Sequence, residues 1–339
     1  MNESNHISFP FTAIVGQDEM KLALILNAID PRIGGVLIMG HRGTAKSTTV
    51  RALAYLLPPI EQSEVYAQII LNGKVEKIPL FFSALDRLEH HVPIVDLPLS
   101  ATEDRVVGTL DIEAAITEGK KSFEPGLIAR ANGGFLYIDE VNLLEDHLVD
   151  LLLDVAASGV NIIEREGLSV RHPAKFVLVG TGNPEEGDLR PQLLDRFGLY
   201  TQVSTITDVP QRVELIRRNE AYFKDPSTFL SQWEEEQEKL RKSIIKARLD
   251  LKQVQVSESL LGKVVELCLM LKIDGHRGEI SILRAATAHA ALRGRTRVEV
   301  EDIVQVSDMC LRHRLRRDPL EEIDSGQKIH TAMQMIFPL

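Results

Sequence analysis

A chain of 339 residues exceeds the size of an ordinary single core, which seldom grows past about 250–300 residues, so roughly two domains are expected. Hydrophobic residues at 44% and charged residues at 26% are the proportions of a soluble globular protein, and no apolar run approaches the ~20 residues of a membrane helix. A net charge of −10 excludes a globally basic nucleic-acid footprint, and only two cysteines, Cys268 and Cys310, argue against a disulfide framework or a zinc site.

The opening MNESNHISFPF has neither the basic-then-apolar pattern of a secretory signal nor the Arg- and Ser-rich stretch of a transit peptide. Such a chain either stays where it is made or has lost a leader. Residues 34–40, GGVLIMG, form a short apolar run bounded by glycines, the profile of a buried parallel strand. After the loop at 40–47, TTVRALAYLLPP places apolar residues at helical spacing and stops at Pro58-Pro59. Strand, loop and helix follow in the order of an α/β unit.

The stretch 95–134 is long for one connection and reads as an insertion with a helix over 111–118, punctuated by Gly and Pro. Two more buried strands are predicted at 135–138 (FLYI) and 176–180 (FVLVG). Each ends in polar residues, Asp139-Glu140 and Thr181-Gly182-Asn183, at the carboxyl edge where open α/β sheets bind ligands. Extended runs on either side of Glu166-Gly167 predict a β-hairpin over 160–173. Segment 229–251 carries Glu234, Glu235, Glu236 and Glu238 before Lys239, Arg241 and Lys242, the order that favours ion pairs along an exposed helix. Residues 256–317, opening at SESLL, read as several amphipathic helices. The organisation expected is an α/β nucleotide-binding domain over 1–210, a helical connector over 211–255 and an all-helical domain over 256–339.

The chemistry sits in GHRGTAKS, Gly40 to Ser47, which fits G-x-x-x-x-G-K-[ST] except at Ala45. Such a loop turns backbone N–H groups of Gly40, Gly43, Thr44, Ala45 and Thr48 towards phosphates at the start of a helix whose dipole favours anions. Lys46 reaches the β- and γ-oxygens and the Ser47 hydroxyl binds Mg²⁺, so ATP and Mg²⁺ are the expected ligands. The Cβ of Ala45 is acceptable on this reading only at negative φ. Asp139 holds Mg²⁺ through water, Glu140 orients and deprotonates the attacking water, and Asn183 bonds that water or the γ-phosphate.

An IVGQ segment (Ile14–Gln17, with Val15 and Gly16 against the nucleotide), the loop, Asp139-Glu140, TGNP and LLDRF together resemble the AAA+ ATPases. The resemblance implies a P-loop core with a helical lid. It makes Arg196 in LLDRF an arginine finger completing the neighbouring subunit's site, a group worth about 10³–10⁵ in rate. It makes Arg284 in GEISILRAATAHAA the sensor-2 arginine, with Arg277 as rival.

Longer motifs narrow the resemblance. DLPLSATEDRVVGTLDIE, FEPGLIARANGGFLYIDEVNLL, GNPEEGDLRPQLLDRFGL and GHRGEISILRAA are similar to the ATPase (I) subunits of magnesium chelatase, from about Phe9 to Asp318. That family implies a hexameric ring of the helix-2-insert clade, with the insert at about 95–125, working with a D subunit and a porphyrin-binding H subunit. The reaction is ATP-driven insertion of Mg²⁺ into protoporphyrin IX on the way to chlorophyll or bacteriochlorophyll. The chain departs from the family at Ala45, where Gly is usual, and at His41, where an acidic residue is expected. A MoxR-like assembly chaperone lacks this combination of middle motifs. A DNA-moving relative would project basic residues from the 160–173 hairpin, where Arg165, Arg171 and His172 are offset by Glu164 and Glu166. No nucleic-acid partner is expected. The histidines, the His90-His91 pair included, read as surface or core residues, and the cysteines as reduced thiols or a regulatory redox pair.

Overall fold

The computed structural model describes residues 8–58, 66–71, 74–80, 92–111, 122–165, 168–187, 189–315 and 325–337. After α1 (Asp18–Ile29), β1 (Val36–Gly40) leads into α2 (Lys46–Leu56), and the strands β2 (Tyr66–Leu71) and β3 (Lys74–Pro79) precede β4 (Ile94–Leu97). Then come α3 (Glu103–Val107), β5 (Gly108–Asp111), β6 (Ser122–Pro125) and α4 (Leu127–Arg130). Next are β7 (Phe135–Ile138), α5 (Asp146–Ser158), β8 (Val160–Arg165), β9 (Leu168–Pro173), β10 (Val177–Gly182), α6 (Pro191–Leu194) and β11 (Leu199–Val203). The rest is helical: α7 (Val209–Lys224), α8 (Pro226–Asp250), α9 (Glu258–Met270), α10 (Arg277–Leu292), α11 (Val300–Leu311) and α12 (Ser325–Ile336).

Five strands form one parallel sheet in the order β11-β1-β10-β7-β4. Because β1 lies between β10 and β11, the winding reverses there, and a crevice opens at the carboxyl end of β1. Alternate residues of each strand face opposite sides. Val36 and Ile38 join a core with Leu24 of α1, Leu53 of α2, Ile244 of α8, Ile282 of α10 and Ile303 of α11. Leu37 and Met39 join the other core, with Val106, Ile128, Leu148 and Leu152. Each such buried side chain contributes about 1.5–3 kcal/mol. The sheet is covered on both faces, as parallel sheets require.

The expected hairpin over 160–173 is present as β8 and β9. It extends into a four-stranded antiparallel sheet, β3-β2-β9-β8, with Ile69 opposite Val170. The helix expected over 111–118 meets a different structure at its first residue. Asp111 closes β5, paired with Ser122 of β6, and 112–118 lie outside the described residues, as does the His90-His91 pair.

The connector is less solvated than its charge run implies. α8 buries Phe229, Ile244 and Ala247, while Glu234, Glu235 and Glu236 stay exposed. Arg241 Nε donates to the carbonyl of Leu56 at 2.7 Å and Arg248 Nε to that of Ala28 at 2.8 Å. Both carbonyls belong to the last turns of α2 and α1, where no intrahelical donor remains, so α8 caps the two helices that carry the sheet's first face. Side-chain caps start the helical region: Asp208 accepts from Gln211 N–H, Asp225 from Thr228 N–H and Ser257 from Leu260 N–H. Among the described residues, no helix is long and apolar enough to cross a membrane.

Candidate nucleotide site

β1 must end in glycine, because a Cβ at Gly40 would run into the carbonyl of Val203 on β11. The loop then turns through Gly43 (φ 79°), with open space where a side chain would stand, and enters α2 at Lys46. The N–H groups of that first turn have no intrahelical partner and form the positive end of the helix. Ala45 has φ 63°, so the expectation that its Cβ required negative φ is corrected. The loop holds alanine in the left-handed region, at a cost of about 1–2 kcal/mol. His41, the other departure, has Nδ1 3.6 Å from Glu185 Oε1, on an exposed edge where an acidic residue would be repelled.

The Lys46 ammonium turns inward onto the carbonyls of Gly40, His41 and Gly182. Burial lowers its pKa, while Asp139, Glu186 and Glu140 act in the opposite sense. Across the crevice, Asp139 Oδ1 accepts from Thr181 Oγ1 at 2.6 Å and from the Tyr137 hydroxyl at 3.2 Å. Burial raises the Tyr137 phenol to about 12, so it remains a donor at neutral pH. Glu140 takes the left-handed region too, at φ 56°. Its Oε1 accepts from Arg42 Nη2 at 2.8 Å, and the same nitrogen donates to Glu186 Oε1 at 2.7 Å. Asn183 is buried, and its Oδ1 accepts from Glu185 N–H at 3.3 Å.

These groups converge on one cavity of 780 Å³. Gly43, Thr44, Ala45, Lys46, Ser47 and Thr48 form one wall, and Asp139, Glu140 and Asn183 another. Val15 joins them, whereas Gly16 lines the adjoining cleft of 570 Å³. The far wall comprises Phe9, Ile14, Leu215, Ile216, Tyr222 and Phe223, an apolar slot suited to a flat base. Sequence reasoning missed this wall and Arg42. The signal for the wall was present in Leu215, Ile216, Tyr222 and Phe223, apolar residues on a helix that buries none of its side chains.

Three arginines lie elsewhere. Arg196 Nη1 pairs with Asp150 at 3.0 Å and Asp154 at 3.1 Å on α5, outside its own chain's cavity. Arg284 donates to the carbonyl of Arg32, and Arg277 binds Asp195 at 2.8 Å, so neither lines the cavity. In the hairpin, His172 is buried, with Nε2 against Asn161 Nδ2 at 2.9 Å, which removes it from the basic residues weighed for a nucleic-acid contact. Cys268 and Cys310 are buried free thiols, and burial raises both to about 12.

The residues fit a magnesium nucleotide. A helix N-terminus, an ammonium, a hydroxyl at Ser47 and a carboxylate at Asp139 face one space large enough for it. A parallel sheet wound in this order, with a phosphate loop at its switch point, an acidic pair on a neighbouring strand and helices beyond, defines a P-loop ATPase of the AAA class. The model of the magnesium chelatase subunit ChlI family matches residues 10–193, and that of the AAA lid domain matches 262–332. The chain belongs to the magnesium chelatase family, as its ChlI-type ATPase subunit.

The magnesium-chelatase 38 kDa subunit of Chlorobaculum parvum is 57% identical, over 98% of this chain and 98% of that one. Magnesium-chelatase subunit ChlI of a Synechocystis species is 54% identical, over 99% and 96%. Among solved structures, a complex between subunits BchI and BchD of magnesium chelatase, based on a cryo-EM reconstruction, contains a chain 50% identical, with TM-score 0.51 and coverage of 97% and 100%. A putative ATPase of Cytophaga hutchinsonii, 19% identical with TM-score 0.64 over 95% and 90%, shares the fold.

Proposed function

We propose that this chain is the motor of its chelatase, converting ATP hydrolysis into the work of inserting Mg²⁺ into protoporphyrin IX on a partner subunit. The observation that carries the reading is the convergence of Lys46, Ser47, Asp139, Glu140 and Asn183 on one cavity. The first-turn N–H groups and Lys46 bind the phosphates, and Ser47 and Asp139 hold the nucleotide's Mg²⁺. Glu140 takes the proton of the attacking water, and Asn183 orients it. The apolar slot takes the base beside Val15, with Gly16 in the adjoining cleft. Bound ATP supplies the phosphoanhydride whose cleavage provides the free energy.

The same reading makes the active form a ring of six copies, with Arg196 acting in a neighbour's site and Arg284 sensing the γ-phosphate from the helical lid at 256–339. A D subunit and a porphyrin-binding H subunit complete the enzyme, and the BchI–BchD complex of a relative supports the first of these. The assembly works in a bacterial cytoplasm or a plastid stroma.

Complementation tests the proposal. Purified chain is added to an extract lacking only this subunit, with protoporphyrin IX, Mg²⁺ and ATP, and Mg-porphyrin fluorescence is followed. ATP-dependent product that vanishes with Glu140→Gln supports the motor role. Robust ATPase activity and ring assembly without product would replace it with an assembly-chaperone role.

A further inference from the structure

The turn that carries Arg196 is gripped from the far end of the chain. Arg314, three residues beyond α11, is buried, and its guanidinium is committed chiefly to that turn. Nη2 donates to the carbonyls of Asp195 at 3.1 Å and Phe197 at 2.7 Å, Nη1 to that of Gly198 at 3.4 Å, and Nε to the Asp195 carboxylate at 3.3 Å. Its other bonds run to the Cys310 carbonyl on α11 and the Ser281 hydroxyl on α10. His313 Nε2 adds a donor to the Phe197 carbonyl at 3.0 Å, and Arg277, at the start of α10, binds the same Asp195 carboxylate at 2.8 Å.

Asp195 and Phe197 flank Arg196. The Asp195 carbonyl precedes the Arg196 Cα and the Phe197 carbonyl lies one residue beyond it, so fixing both confines the short backbone stretch that includes Arg196, and with it the direction in which that side chain leaves the turn. A guanidinium offers several donors in a planar fork, and desolvating it is costly unless those donors are matched. Apolar packing would serve stability alone. The fork additionally dictates where the backbone stands. Among the described residues, the Arg196 side chain itself is held only by Asp150 and Asp154, both more exposed than Arg196. The clamp therefore fixes the base of the side chain while leaving its tip free to exchange partners.

We infer that Arg314 is a positioning residue for Arg196, making the C-terminal helical region set where each subunit presents its finger to the next. The inference rests on the proposed action of Arg196 in a neighbour's site. The helix that contributes Ser281 and Arg277 to the clamp also carries Arg284, so finger and proposed lid sensor are attached to one rigid element.

Mixed rings test this. Glu140→Gln chains keep their finger but have a dead site, while Arg196→Ala chains keep their site but lack the finger, so mixing the two restores hydrolysis. Arg314→Lys keeps the charge and loses the fork. It is expected to bind a fluorescent ADP analogue as the parent does, with an unchanged KM for ATP. Its kcat in homogeneous rings is expected to fall by about tenfold to a hundredfold, the cost of small misplacements. Mixing it with Glu140→Gln chains is expected to restore hydrolysis as it does for Arg196→Ala. Should Arg314→Lys fail to fold by circular dichroism, Asp195→Asn, which weakens the same clamp, takes its place. Loss of ADP-analogue binding together with turnover, or no restoration by chains that do restore Arg196→Ala, overturns the inference. If Arg196→Ala is itself not restored, the inter-subunit reading of Arg196 fails first and takes this one with it.

Discussion

Arg42 and Glu140 are joined by a 2.8 Å hydrogen bond, which ties the proposed catalytic base to the phosphate loop's own arginine. The same Arg42 nitrogen reaches Glu186 at 2.7 Å, so one cation stands between two carboxylates whose side chains are 26% and 21% exposed. Without it the two carboxylates lose the cation between them, and Glu140 is expected to swing away. Arg42→Gln is expected to lower kcat by about tenfold, with little change in ADP affinity. Adding Glu186→Gln to that variant removes the repulsion and is expected to recover part of the loss. Steady-state ATPase assays of the single and double variants decide the matter, and a double variant no better than the single one refutes the account.

The division of labour within the cavity gives a second expectation. Glu140→Gln retains the shape and hydrogen bonding of the side chain but accepts no proton, so ATP binds while turnover falls by about 10²–10⁴. Lys46→Ala instead weakens nucleotide binding, since it removes the ammonium that the carbonyls of Gly40, His41 and Gly182 hold inside the loop. Equilibrium binding of a fluorescent nucleotide beside single-turnover hydrolysis separates the two effects. Equal loss of binding in both variants would contradict the assignment.

At Ala45 the loop carries a conformational cost. Replacing an alanine held at φ 63° by glycine relieves left-handed strain and gives back only part of that gain as unfolded-state entropy. Ala45→Gly is expected to stabilise the chain by about 0.5–1 kcal/mol. Urea unfolding should show a higher midpoint at unchanged slope, and a lower midpoint would mean that the alanine is not strained.

Acidification should destabilise the chain partly through His313. Burial, and then the charge of Arg314, hold its pKa well below the usual histidine value. Below about pH 6.5 the unfolded chain binds the proton while the folded chain does not. The stabilising contribution is therefore complete above that pH and is lost as pH falls towards the folded pKa, by at most about 1.4 kcal/mol per unit. His313→Gln keeps a donor for the Phe197 carbonyl and is expected to lose less stability than the parent between pH 7.5 and 5.5. Thermal melts at both pH values make the comparison, and parallel losses would exclude the histidine as a source.

The nucleotide side of the site was legible because its chemistry is local. Glycines, Lys46 and Ser47 follow one strand at fixed spacing, and Asp139-Glu140 close another. The apolar wall was not, because Phe9 and Ile14 meet Leu215, Ile216, Tyr222 and Phe223 from some two hundred residues away. The pairing of β2 with β9 escaped for the same reason: register between distant strands is set by packing rather than by neighbouring residues. Arg277 shows the limit of motif spacing. Two arginines in one helical segment were rivals for one role, and neither lines the cavity: Arg277 bonds Asp195 and Arg284 the carbonyl of Arg32.

The antiparallel sheet has a mechanical consequence. β2 follows the phosphate-loop helix in the chain, and β9 precedes the strand that ends beside Asn183. Their pairing ties together two segments about a hundred residues apart in the chain, one after the phosphate-loop helix and one before β10. A displacement of the β8–β9 hairpin must therefore carry β2 with it or break the β2–β9 ladder.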